Sequence, residues 1–231
     1  MYCILYCTVG LALFQPLLAA TVVQVDKDYK SSNTSTDFLY FAYGSNLLKE
    51  RLQLKNPSAE FVRTGRLKDY SLRFGHWRED FNGSNSWHGG VATIQPVKGE
   101  DVWGVIWKMD TSNLISLDKQ EGVKGGSYSP TEVTVDTEDG LVVCRTYLMN
   151  NFKAYLTSPP YKQVVCLGAR QNGLPLEYIK KLDAVETNGY SGPSIMDDII
   201  GFKPTGNPQL ESPETTSKKR NPFFSWLYWL S

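Results

Sequence analysis

FLYFAYGSNLL, residues 38–48, holds six consecutive apolar or aromatic residues that stop at a glycine. A continuous apolar run of that length suits a buried strand. Gly44, Ser45 and Asn46 then turn the chain, and Leu47–Leu54 carries Leu47, Leu48, Leu52 and Leu54, a pattern that fits a short helix. Ser45 or Asn46 is placed to cap it. A strand entering a helix through glycine presents the backbone N–H groups of Gly44, Ser45 and Asn46 at the helix start, where free N–H groups attract a carboxylate or phosphate. An ordinary capped strand-to-helix turn accounts for the same residues.

Downstream of this turn the chain reads as strands separated by turn material: Phe61–Phe74, Gly90–Gln95, Val102–Met109, Glu132–Val135 and Leu141–Met149, with Lys98-Gly99-Glu100 and Glu138-Asp139-Gly140 between neighbours. The spacing favours antiparallel hairpins over repeated βαβ units. Three further helices are expected. Asn113–Glu121 is capped by Asp110 or Ser112 and stopped by Gly122, while Pro160–Arg170 and Pro175–Glu186 each open near a proline.

The flanks differ from this middle part. No charged residue precedes Asp26, and residues 1–20 (MYCILYCTVGLALFQPLLAA) read as a secretory signal peptide cleaved near Ala20, although no Lys or Arg precedes the apolar run. An uncleaved signal anchor is the alternative, and the protein is cytoplasmic if the segment is not part of it. Residues 21–37 form a polar linker, residues 38–200 the folded domain, and residues 201–231 a tail with prolines, the basic run Lys218-Lys219-Arg220 and an aromatic end too short to span a membrane. Asn33 and Asn82 stand in N-x-S/T sequons, which matter only in a secreted protein. Outside the signal-like segment the cysteines are Cys144 and Cys166, each in an apolar stretch. Two buried thiols or one disulfide both fit.

Charge narrows the function. Lys and Arg number 24 against 24 Asp and Glu, so the net charge is zero and a general nucleic-acid partner is disfavoured. The cysteines have no metal-ligand spacing, and phosphate-loop and dinucleotide fingerprints are absent. Only two histidines occur, His76 and His88, and Tyr43-Gly44-Ser45-Asn46 lacks the second glycine of a nucleophile elbow, so a serine triad at Ser45 is disfavoured. The remaining candidate is Glu121, at the end of a predicted helix and beside a glycine-rich loop that runs to Tyr128. The negative end of a helix dipole and burial both raise a carboxyl pKa toward the range of a general base. A solvated glutamate at a helix end fits the same sequence, and Asp118 competes for the role.

Taken together, FLYFAYGSNLL at 38–48, NPSA at 56–59, WHGGVATI at 87–94, VWGVIWKM at 102–109, SLD at 116–118 with QEGV at 120–123, CRTYLM at 144–149 and NGLPLEY at 172–178 resemble the animal branch of the γ-glutamylcyclotransferases. The resemblance spans about Phe38 to Glu186. It implies an α+β fold, a small mixed β-barrel with flanking helices. It also implies a cofactor-free reaction in which a γ-glutamyl amino acid or peptide cyclises to 5-oxoproline and releases the free amino acid. Glu121 then takes the position of the catalytic glutamate. Tyr40, Phe41, Ala42, Tyr43, Gly44 and Ser45 form the substrate loop, Tyr161 matches a downstream substrate tyrosine, and Tyr128 lines the same cavity. The partner is a small γ-glutamyl molecule, not nucleic acid, and a homodimer is compatible. The apolar N-terminus and the tail depart from this family, which is ordinarily cytosolic. The alternative is a secreted interaction protein that kept the scaffold and lost or changed the activity.

Overall fold

The run at 38–43 becomes β1 (Asp37–Ala42), whose last three residues are buried. In the computed structural model, which describes residues 36–200, it lies between two strands. One is β3 (Val91–Asp110), antiparallel with Phe41 opposite Ile106; the other is β5 (Gly140–Met149), parallel with Tyr40 opposite Arg145. A strand paired on both edges in a sheet interior has no polar row to expose, which suits its apolar composition. β5 pairs with β4 (Tyr128–Thr137), β4 meets β2 (Glu60–His76), and β2 pairs with β3 along nearly its whole length. The order β3-β1-β5-β4-β2 with β2 again beside β3 closes a five-stranded mixed barrel. Closure removes the edges that would invite aggregation. A two-residue strand, β6 (Lys153–Ala154), extends the β2 edge at His76.

The separate strands expected at Gly90–Gln95 and Val102–Met109 are one strand. Lys98-Gly99-Glu100, read as a turn, is an irregularity within β3, opposite Asp69 of β2. Asp69 and Gly99 both take positive φ, and the Gly99 N–H donates to the Asp69 carboxylate at 2.8 Å. Turn-forming residues here make a bulge that bends a long hairpin without ending it.

The core fills the barrel and the space beneath the helices. Phe41, Leu47, Leu52, Ile94, Ile106, Trp107, Met109, Leu117 and Tyr147 are among its largest fully buried side chains. Of the helices, α3 (Pro159–Gln171) packs closest to the Gly44–Leu48 turn. Its buried face is Tyr161, Val164, Val165, Gly168 and Ala169, the stripe expected of a one-sided helix. Ser158 caps it by accepting the Tyr161 N–H. Gly168 is required by proximity: a Cβ there would lie 2.4 Å from the Leu48 nitrogen and 2.5 Å from the Leu47 carbonyl carbon. Helix α4 (Leu176–Asp183) buries Tyr178, Ile179 and Leu182, and α5 (Met196–Ile200), not anticipated from sequence, contributes Met196 and Ile199.

The predicted Leu47–Leu54 helix is split. A 3-10 turn at Ser45–Leu47 is followed by extended Leu48 and then by α1 (Lys49–Gln53). Neither Ser45 nor Asn46 caps a helix; Gly44 holds the cap position, and the Asn46 side chain is used elsewhere. Helix α2 (Leu114–Gln120) follows a 3-10 turn at Thr111–Asn113, which Asp110 caps by accepting the Ser112 N–H at 2.7 Å. Cys144 and Cys166 are both buried free thiols, so the disulfide alternative does not apply. Among the described residues no helix is long and apolar enough to cross a membrane. The signal peptide, the Asn33 sequon, most of the linker and the tail lie outside the described residues.

Candidate active site

Two adjoining chambers open where β1, α1, α2 and α3 converge. The inner one, about 30 Å³, is lined by Tyr40, Tyr43, Gly44, Ser45, Asn46, Ala92, Glu121, Tyr128, Tyr147 and Tyr161. The outer one, about 180 Å³, has walls that include Arg51, Trp77, Trp87 and Gln120. Ser45, Glu121, Tyr128 and Tyr161 belong to both, so they stand at the boundary. Larger hollows lie elsewhere, such as one of about 620 Å³ between Arg63, Trp103 and Asp136. Its two arginines and Asp136 are held in ion pairs, with Arg66 on Asp136 at 3.0 Å and Arg63 on Asp139.

Glu121 directly follows α2, and its N–H still donates to the Leu117 carbonyl at 2.9 Å. Gly122 then takes the left-handed conformation at φ 67°, which turns the chain back so that the Ser127 N–H reaches the Gly122 carbonyl. This leaves the Glu121 side chain pointing into the chambers. Its carboxyl pKa is raised from 4.5 to about 7. Burial is the main cause, with the charge of Asp118 adding to it, while the Arg51 guanidinium and the hydrogen bond from Asn46 pull the other way. The competitor Asp118 is occupied. One of its oxygens accepts from Arg145 at 2.6 Å and from the Tyr147 hydroxyl at 2.5 Å.

Glu121 is also the end of a chain of side-chain amides. The Asn46 Nδ2 donates to Glu121 Oε1 at 2.8 Å and lies 3.0 Å from the Tyr40 hydroxyl. The Asn46 Oδ1 accepts from Gln120 Nε2 at 2.7 Å, and Gln120 Oε1 accepts from Asn56 Nδ2 at 3.1 Å. The Trp107 indole donates to the Asn46 carbonyl at 3.1 Å, which pins the turn to the barrel. Asn46 and Asn56 are buried, and buried amides are stable only when satisfied in this way.

The other predicted residues divide. Tyr40, Tyr43, Gly44, Ser45, Tyr128 and Tyr161 line the chambers with Glu121. Phe41 and Ala42 are fully buried and line neither chamber. They hold β1 in the barrel, where the Phe41 carbonyl accepts from Thr146 at 2.8 Å. The tyrosine hydroxyls are fixed by the backbone. Tyr128 donates to the Ala92 carbonyl at 2.6 Å, Tyr161 accepts the Ala92 N–H at 3.0 Å, and Tyr43 donates to the Tyr147 carbonyl. Burial pushes the Tyr161 hydroxyl up to about 12, so it is a neutral phenol. Several lining residues had no site role in the sequence, among them Arg51, Trp77, Trp87, Gln120 and Tyr147. Among the described residues no group of three or more His, Cys, Asp or Glu is placed to hold a metal.

This geometry can be set beside known proteins. An AIG2-like family model matches residues 101–182. The γ-glutamylcyclotransferase of Bos taurus is 56% identical over 162 residues, which cover 70% of this chain and 85% of the relative. The chain belongs to the γ-glutamylcyclotransferase family. The γ-glutamylcyclotransferase of Mus musculus is 52% identical over 166 residues, 71% of this chain and 87% of its own. A solved γ-glutamyl cyclotransferase structure superposes with a TM-score of 0.68 at 52% identity, covering 71% of this chain and 98% of the other. The barrel expected from the resemblance is therefore present in both sequence and shape.

Proposed function

We propose that this cyclotransferase converts γ-glutamyl amino acids to 5-oxoproline and free amino acid, with Glu121 as general base. The observation that carries the assignment is a carboxyl poised at about 7 on the boundary of the two chambers, beside the Gly44–Ser45 turn. A general base works best when its pKa lies near the working pH.

The substrate's α-ammonium gives a proton to Glu121. The freed amine attacks the γ-carbonyl carbon, and the new N–C bond pushes the carbonyl π electrons onto oxygen. The oxyanion collapses, the bond to the departing nitrogen breaks, and the proton on Glu121 passes to that nitrogen. The attacking nitrogen, which still carries two hydrogens, gives its second proton to the freed Glu121 carboxylate and from there to the departing amine, so the products are the neutral lactam and an ammonium. Nucleophile and electrophile belong to one molecule, so the main task is to fold the substrate into reactive geometry. Tyr40, Tyr43, Gly44, Ser45 and Tyr161 form the walls that would do this, and donors at the turn suit the developing oxyanion. Tyr128, tied to Ala92, closes the opposite side. The reaction uses no cofactor.

Incubation with a γ-glutamyl dipeptide should release 5-oxoproline, and Glu121→Gln should not. Near-normal release by the variant would remove Glu121 from the role. We further infer that the chain is secreted, from residues 1–20 alone, with residues 38–200 as the enzyme domain. N-terminal sequencing of native protein tests this, since a mature chain that retains residues 1–20 would contradict it.

A further inference from the structure

Arg51 stands out because, among the described residues, no carboxylate forms a salt bridge with it. It projects from α1 into the wall of the outer chamber, a wall that also includes Trp87 and Gln120. Its guanidinium carbon lies 5.9 Å from the Trp87 ring centroid, over the ring. Its Nε is buried with no acceptor. The other arginine near the site, Arg145, has Asp118 at 2.6 Å, whereas among the described residues Arg51 forms no ion pair. Glu121 lies near enough for the two charges to influence each other, but makes no contact with it. A guanidinium taken out of water without a partner is costly, and burial accordingly pulls its pKa down. It stays charged at any pH of interest. Such a group is an anion receptor awaiting its anion, and its planar fork matches a carboxylate.

The chambers indicate which carboxylate. Glu121 and Ser45 stand at the boundary, so the reacting carbonyl belongs there. The inner chamber holds the Gly44–Asn46 turn and five tyrosines, and Arg51 is absent from it. With the glutamyl part against the turn, the departing amino acid points into the outer chamber. Its own carboxylate sits one carbon beyond the bond that breaks. We propose that Arg51 binds the free carboxylate of the departing amino acid and thereby selects γ-glutamyl amino acids over γ-glutamyl amides and amines. The inference rests on the reaction proposed above, and the Trp87 face holds the guanidinium in place.

The test compares γ-glutamylglycine with γ-glutamylglycinamide, which differ only in that carboxylate. Wild-type enzyme should show kcat/KM higher for the acid by about ten- to a hundredfold, the scale of one charged hydrogen-bond pair. Arg51→Gln should bring the ratio near one, mainly by raising KM for the acid, while turnover of the amide persists. Arg51→Lys should restore part of the ratio. A wild-type ratio near one, or a ratio unchanged in Arg51→Gln, would overturn the proposal. So would equal losses on both substrates, as expected if Arg51 instead held the glutamyl carboxylate or only supported the fold. Failure of the cyclotransferase reading is a separate outcome, in which wild-type enzyme releases 5-oxoproline from neither substrate.

Discussion

Replacing Glu121 by Gln should remove activity and at the same time change how stability depends on pH. The carboxyl rises from 4.5 to about 7 on folding. Between those values the folded protein holds a proton that the unfolded chain releases, so wild-type stability must fall as pH rises through that window. At about 1.4 kcal/mol per pH unit the full effect is about 3 kcal/mol. Glu121 is only partly shielded from the solvent of the chamber, so this is an upper bound. Glutamine keeps the acceptor for Asn46 but cannot ionise. The attraction of Arg51 is already contained in the value of about 7, so the pH-dependent difference follows from the wild-type carboxyl alone. Urea unfolding of both proteins at pH 5 and pH 8 should therefore show the difference, variant minus wild type, growing by about 1–2 kcal/mol at the higher pH, after the allowance for solvent. 5-Oxoproline release should fall by about a hundredfold or more. A stability difference independent of pH would refute the claim that a buried, protonatable Glu121 is part of the fold, even if activity were lost.

Three further outcomes follow from the same contacts. kcat/KM should rise through about pH 7 as Glu121 loses its proton; Asn46→Ala removes a hydrogen bond that favours the anion, so this rise should move upward by about one to two pH units. Gly168→Ala forces α3 away from Leu47 and Leu48, and should cost about 1–3 kcal/mol in urea unfolding together with turnover, since the turn beside Glu121 shifts; a stable, fully active variant would show that this close approach is dispensable. Burial pushes the Cys144 thiol up to about 12 and Cys166 up to about 11. In a protein with Cys3 and Cys7 replaced by Ser, an aromatic disulfide reagent should therefore label neither until denaturant is added, and rapid native labelling would count against the packing.

The legible part of this molecule was the part set by local pattern. The apolar run at 38–43, the glycine after it and the Gly122 stop each have a short-range cause, and all three hold. Strand limits suffered where local and tertiary signals conflict. Lys98-Gly99-Glu100 has the composition of a turn, yet its neighbours on both sides pair with β2, so it becomes a bulge. Polar side chains in the turn were hardest to place. Asn46 fits a cap by local rules, but Gln120, 74 positions later, claims its oxygen and turns its nitrogen toward Glu121. Arg51 resembles any exposed helix arginine until Trp87 and the chamber wall are seen beside it. For Glu121 the helix end suggested a raised pKa, but burial, which only the tertiary structure reveals, is the larger cause.

The chain of amides behind Glu121 also has a direction. Because Gln120 donates to the Asn46 oxygen, Asn46 can offer Glu121 only hydrogen, and Oε1 is committed as an acceptor. A proton taken up by the carboxyl must therefore settle on Oε2. The two oxygens of this glutamate are chemically equal in solution but unequal here, one an anchor and the other the working atom. The barrel thus determines which oxygen the substrate's ammonium meets, and from which oxygen the departing amine is later served.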